Sequence, residues 1–208
     1  MVRGLDKGQK AALIISECQR GVIEEGLSPF PSLAEQVKSR GIVSRIGSLA
    51  ESFRAAGLPV LHAHVVHRPD YADLPVTSVI VGLSVRNGRM KAGTIDVDSV
   101  AELPVQPGDI LHARSFSLVG FHGTDLDQTL RNMGVRTLVI AGVSSNVAVN
   151  GMALCASDLG YQVVIPEDCT AGATAESHAF MMKEALPLYA TVTSGNAVIE
   201  LLAGRSKD

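Results

Sequence analysis

The chain of 208 residues is 46% hydrophobic and 19% charged, with a formal charge of -3 and a pI of about 6.1. A chain of that length has room for one ordinary core, and no basic block interrupts its mildly acidic balance, which argues against nucleic acid as a partner. The three cysteines, Cys18, Cys155 and Cys169, are too few and too irregularly spaced for a disulfide framework or a zinc site. A reducing cytoplasm is therefore the expected setting, and the short apolar run Ala11 to Ile15 suits neither a signal peptide nor a membrane span, so no membrane partner is expected.

In chain order, apolar runs of strand length begin at AALIIS (11), PVLHAHVV (59), DILHA (109), RTLVIAG (136), YQVVIP (161) and LYATVT (188). Apolar residues at helical spacing fill Ser32 to Ala56, Thr124 to Met133, Asn146 to Leu159, Thr174 to Leu186 and Gly195 to Leu202. Gly57, Gly134 and Gly160 each stand between a helix end and the next strand, where a left-handed C-cap is expected. Right-handed crossovers put the helices of such an alternation on both faces of a parallel sheet. The expectation is an α/β fold: a single domain over 1–208, built as a three-layer α/β/α sandwich on a mostly parallel, Rossmann-like six-stranded sheet. Ligands of such sheets bind beyond the carboxyl ends of the strands. Arg68 to Gly108 resists this pattern, with mixed polarity and no firm period. A segment that long is expected either to run over the surface with a short hairpin or to act as a substrate lid or subunit contact.

The most informative stretch is VIAGVSSNVAVNG at 139–151, an apolar strand that breaks at Gly142 and passes through Ser and Asn into a helix. Together with ALIISECQRG at 12–21, the FHGTDLDQTLRNMGVRTLVIAG run from 121, GYQVVIPEDCTAG at 160–172 and AESHAFMMKEAL near the end, it resembles the isochorismatase-like (cysteine hydrolase) superfamily over nearly the whole chain. The resemblance implies an isochorismatase-like hydrolase fold, and a homodimer or higher homo-oligomer acting on a small molecule, with no cofactor. It also implies a catalytic set of Asp after the first strand, Lys after the third and Cys on the junction helix. All three have changed in this chain. Glu17 holds the Asp position, the Lys region LHARSFSLVGF offers only Arg114, and the nucleophile position holds Ala148.

An alanine cannot attack a carbonyl, so covalent amidase chemistry at that position is excluded. What the junction keeps is electrostatic: the free amides that open a helix, and the cis peptide that the resemblance implies between Val143 and Ser144, can still hold a developing oxyanion. Ser145 or Asn146 is expected to cap that helix. Glu17, at the end of an apolar strand, is expected to face the crevice partly desolvated and to act as an acid near neutral pH, or else to form a structural pair with Arg20, Arg68 or Arg114. Arg114 offers a cation to a substrate carboxylate. Gln19, His112, His122, Val143, Ser144, Ser145 and Val147 complete the expected substrate contacts. His62, His64 and His67 lack the acid that a metal site of this type needs, and no metal is expected. Two functions follow: an isochorismatase-like hydrolase acting on a small anionic metabolite by acid catalysis without a cysteine, or a non-catalytic small-molecule-binding or structural descendant.

Overall fold

The computed structural model describes residues 2–6 and 8–205. Its sheet is parallel throughout and has seven strands, β1 (Ala11–Ser16), β2 (Val60–Val65), β3 (Ile110–Arg114), β4 (Thr137–Val143), β5 (Gln162–Pro166), β6 (Thr170–Ala171) and β7 (Thr191–Thr193), in the spatial order β3-β2-β1-β4-β5-β7, with β6 beside β4. The two-residue β6 raises the expected six strands to seven; at that length no periodicity can announce it.

Both faces of the central strands β1, β2, β4 and β5 are buried, so these read as continuous apolar runs, while the edge strand β3 leaves Leu111 exposed; alternate residues still serve different layers. Leu13, Ile15 and Val139 pack with Ile46, Leu49 and Phe53 of α3 (Ile42–Ala55). Ala12, Ile14, Leu138 and Ile140 pack on the other face with Leu126 and Leu130 of α5 (Leu126–Asn132) and Met152 of α6 (Ala148–Asp158). The expected helix Ser32 to Ala56 is two helices, α2 (Pro31–Arg40) and α3, because Gly41 sits at φ 60° between them. Gly57, Gly134 and Gly160 have φ of 66°, 72° and 85°, as the C-caps require. The helix expected from Thr174 tightens after α7 (Ala175–Phe180) into a π turn and a 3-10 turn, and α8 (Gly195–Arg205) closes the chain. Within Arg68 to Gly108 there is no hairpin among the described residues. The segment carries α4 (Val79–Arg86), which fully buries none of its residues, and one 3-10 turn at Ile95–Val97. A further short helix, α1 (Arg20–Ile23), follows β1. No helix among the described residues is long and apolar enough to cross a membrane.

The chain winds outward from β1 to β2 and β3, then reverses to β4, β5 and β7. That switch point opens a crevice beyond the carboxyl ends of β1 and β4, and it is where the functional residues gather.

Candidate active site

Ser16 and Gly142 pair on the last rung that β1 shares with β4. Past it, the amide of Glu17 donates to the carbonyl of Ala63 at 2.9 Å, and the residue then adopts φ 53°. For a residue with a side chain this left-handed conformation costs about 1–2 kcal/mol. Its effect is to bring Glu17 over the end of the sheet into a cavity, while Cys18 returns to the core.

Arg114, the last residue of β3, lines the same cavity with its side chain almost wholly buried. Its Nη2 donates to Glu17 Oε1, its Nε donates to the carbonyl of Ser117 at 3.0 Å, and its Nη1 has no hydrogen-bond partner among the described residues. Burial pushes the Glu17 carboxyl above the usual carboxylate range, against the opposing charge and hydrogen bond of Arg114.

The junction after β4 forms the facing wall. Its Val143–Ser144 peptide is cis. The Ser145 amide donates to the Ala171 carbonyl at 2.8 Å, and the Val147 and Val149 amides both donate to the Ser144 carbonyl at 3.1 Å. Among the described residues this leaves the amides of Asn146 and Ala148 without a backbone acceptor at the positive end of α6. Ser144, Asn146, Val147 and Ala148 all line the cavity, and Ala148 presents only a methyl group. Neither expected cap forms, because both side chains are engaged elsewhere. Ser145 Oγ pairs with Nδ1 of the buried His178 at 3.2 Å, and Asn146 Oδ1 accepts from the Ala173 amide at 2.9 Å.

The cavity has a volume of about 470 Å³. Its remaining walls are mostly apolar: Phe30 and Leu33 on one side, Phe116 and Leu118 on another, and Leu74, Ile80, Val81 and Met90 from the 68–108 segment. Arg89 also borders it, but Nη2 of that residue is held by the Leu27 carbonyl and by Asp96 Oδ1 at 3.1 Å. Each arginine of the cavity is therefore balanced by a carboxylate. The 68–108 segment thus borders the cavity, as the substrate-lid expectation has it, whereas sequence reasoning names none of these apolar residues, which come from loops and from the helices α2 and α4.

Glu17, Arg114, Ser144, Val147 and Ala148 are brought together as the sequence suggests, whereas five other expected contacts stand off the cavity wall. Gln19 is fully buried and clamps backbone, accepting from the Val65 amide at 2.7 Å and donating to the carbonyls of Val65 and Val97 at 2.9 and 3.1 Å. His112 faces Asp125 and the Gly120 carbonyl, both at 3.3 Å; it shares the Arg114 face of β3 but lies two residues back from the carboxyl end of the strand and does not line the cavity. His122 is exposed in the turn before α5, Val143 is core, and Ser145 sits behind the junction.

The three histidines of the second strand region form no metal group among the described residues. His62 pairs with Asp109 at 3.2 Å, His64 with the Ser99 hydroxyl at 3.2 Å, and His67 with the Ser115 carbonyl. No cysteine lines the cavity. Cys18 and Cys169 are core residues whose thiols are pushed up to about 12, by burial first and then by the neighbouring charges of Glu17 and Asp168 respectively. Neither can supply a thiolate near neutral pH.

A parallel α/β sheet with a carboxyl group just past its first strand, an arginine at the end of its third and an open helix terminus after its fourth defines a hydrolase-type site at the switch point of the sheet. Residues 11–197 match the Isochorismatase domain model, and the chain belongs to the isochorismatase family of hydrolases. It is 32% identical over 190 residues to the uncharacterized isochorismatase family protein YecD of Escherichia coli O157:H7, covering 86% of this chain and 92% of that one. It is 29% identical over 178 residues to the ureidoacrylate amidohydrolase RutB of Rhizobium rhizogenes, covering 79% and 71%. An isochorismatase family protein from Desulfovibrio vulgaris superposes with a TM-score of 0.82 at 27% identity, over 94% of this chain and 99% of that one.

Proposed function

We propose that the protein is a hydrolase for a small, anionic metabolite with an apolar body, and that it works by acid catalysis at Glu17 with no covalent intermediate. The observation that carries this reading is the position of Glu17: a side chain only 16% exposed, its carboxyl group paired with Arg114 on the wall of a cavity whose nucleophile position is a methyl group. In its protonated form Glu17 delivers a proton to the departing group. A water molecule adds to the electron-poor carbon as the bond to that group breaks. The Glu17 carboxylate then takes a proton from the added water and is restored, so that one water is consumed for each bond cleaved. The amides of Asn146 and Ala148 are the donors available to a developing negative oxygen, and Arg114 is the cation available to a substrate carboxylate.

One observation favours a second reading. Glu17 and Arg114 bond each other, and a protein that only binds its ligand could keep the pair as a structural element. Incubation with a library of small carboxylic acids, amides and enol ethers, followed by mass spectrometry, separates the two. Depletion of a library member with matching hydrolysis products supports the hydrolase. Co-purification of an intact ligand with no product from any member supports the binding protein instead.

A further inference from the structure

Glu17, Arg114 and the charge of an arriving ligand cannot be considered separately. The cavity is largely apolar, and its two arginines are each already matched, Arg114 by Glu17 and Arg89 by Asp96. A carboxylate entering to pair with Arg114 would leave two negative groups on one buried cation. An excess charge of that kind, desolvated, is costly unless a proton neutralises it.

The groups facing the pair narrow down where the proton goes. His64, His67 and His112 are the histidines whose charge Arg114 opposes, and all three lie below their ordinary value, chiefly through burial and only secondarily through Arg114. His64 and His67 are also hydrogen-bonded through a ring nitrogen, to Ser99 and Ser115. Cys18, next to Glu17, is pushed up to about 12. His67 has Asp73 as a further charged neighbour, and Arg89 is tied to Asp96. Glu17 is the one carboxylate of the pair, and it already lies above its usual range.

We propose that the cavity binds a small carboxylic acid with an apolar body together with one proton, the ligand carboxylate pairing with Arg114 while the proton is held on Glu17. The balance is one ligand carboxylate and one solvent proton in, and one carboxylic acid formed at Glu17; the Glu17–Arg114 ion pair is exchanged for a ligand–Arg114 pair. This inference rests on the reading of Glu17 as the acid, and it adds the source of the acid's proton. Arrival of an anionic substrate itself creates the protonated glutamate that the reaction needs.

Isothermal titration calorimetry with benzoate, and with benzamide as the uncharged control of the same shape, tests the coupling without any turnover. At about pH 8, comparing phosphate with Tris buffer, benzoate is expected to carry about one proton into the complex and benzamide none. The affinity for benzoate should fall about tenfold for each pH unit above that. In Glu17→Gln the proton uptake and the pH dependence should both vanish, and benzoate should bind at least about tenfold more tightly at that pH. Benzoate binding without proton uptake, equal uptake with benzamide, or no binding of benzoate at millimolar concentration would each overturn the proposal, and the wild-type comparison decides it even if the variant does not fold. Proton-coupled binding alongside a library screen that yields no product would retain this site and remove the catalytic reading alone.

Discussion

The two sides of the cavity are built in opposite ways. The junction at 144–148 is fixed from behind: Ser16 Oγ donates to the Val143 carbonyl at 2.8 Å, Ala171 holds the Ser145 amide, and His178 holds the Ser145 hydroxyl. The 68–108 segment opposite crosses the cavity with α4, a helix of apolar composition that fully buries none of its residues. Where nearly every group has a partner, a substitution costs fold stability. Where side chains pack only on the cavity, a substitution costs selectivity. The division suits a hydrolase scaffold whose charge-handling parts stay fixed while its cover sets the substrate.

This contrast can be broken at several points, beginning with the largest effect. A Cβ added at Gly142 would lie 2.2 Å from the Ser16 carbonyl oxygen, at a φ of 99°. Gly142→Ala is therefore expected to cost about 4 kcal/mol or more in chemical denaturation, or to prevent folding; a stable variant would mean that the rung between β1 and β4 is not rigid.

The histidines give each region its own pH dependence. His178 supports the junction, and His64 bonds Ser99 in the covering segment; both are pushed down to about 4, chiefly by burial. The unfolded chain therefore binds more protons than the native one between about pH 6.5 and 4, so stability is full above that range and falls as the pH drops through it. Each histidine contributes at most about 1.4 kcal/mol per pH unit of this slope. Thermal melts of His178→Gln and His64→Gln should each show a shallower acid limb; an unchanged limb would place the proton uptake elsewhere.

Ser145→Ala removes the hydroxyl that pairs with His178 and should cost about 1–3 kcal/mol. On the cover, Ile80→Ala should change stability by less than about 1 kcal/mol while altering the affinity for apolar-bodied ligands several-fold. The converse result, large loss of stability with unaltered binding, would reverse the roles given to the two walls. Smallest of all is the expected effect of iodoacetamide: since no cysteine borders the cavity, alkylation of the accessible thiol should leave activity unchanged.

Much of this arrangement is legible from the sequence, for identifiable physical reasons. The strands and most helices show themselves because burial demands apolar runs and helical spacing, while Glu17, Arg114 and Ala148 are singled out by the resemblance to the isochorismatase-like superfamily, at the ends of β1 and β3 and the start of α6. Strand-end logic fails for His112 and Gln19. Arg114 and His112 share one face of β3, but only Arg114 stands at the strand end that borders the cavity, and Gln19 is taken up by backbone groups that no local pattern reveals. The apolar walls are less legible still, since Leu74, Ile80 and Phe116 become neighbours only through tertiary folding. Nor does the sequence show that Ser145 serves His178, 33 positions away, instead of capping the helix that follows it.

The central claim is that Glu17 is the acid of a hydrolysis that runs without a covalent intermediate. It is tested most directly by the steady-state turnover of Glu17→Gln on whichever library member the wild type hydrolyses, measured together with the affinity for that ligand. The variant is expected to lose at least about a hundredfold in kcat, as removal of a general acid does, while retaining the fold and binding the ligand. A Glu17→Gln protein that turns over its substrate at the wild-type rate would contradict the account and remove Glu17 from the chemistry.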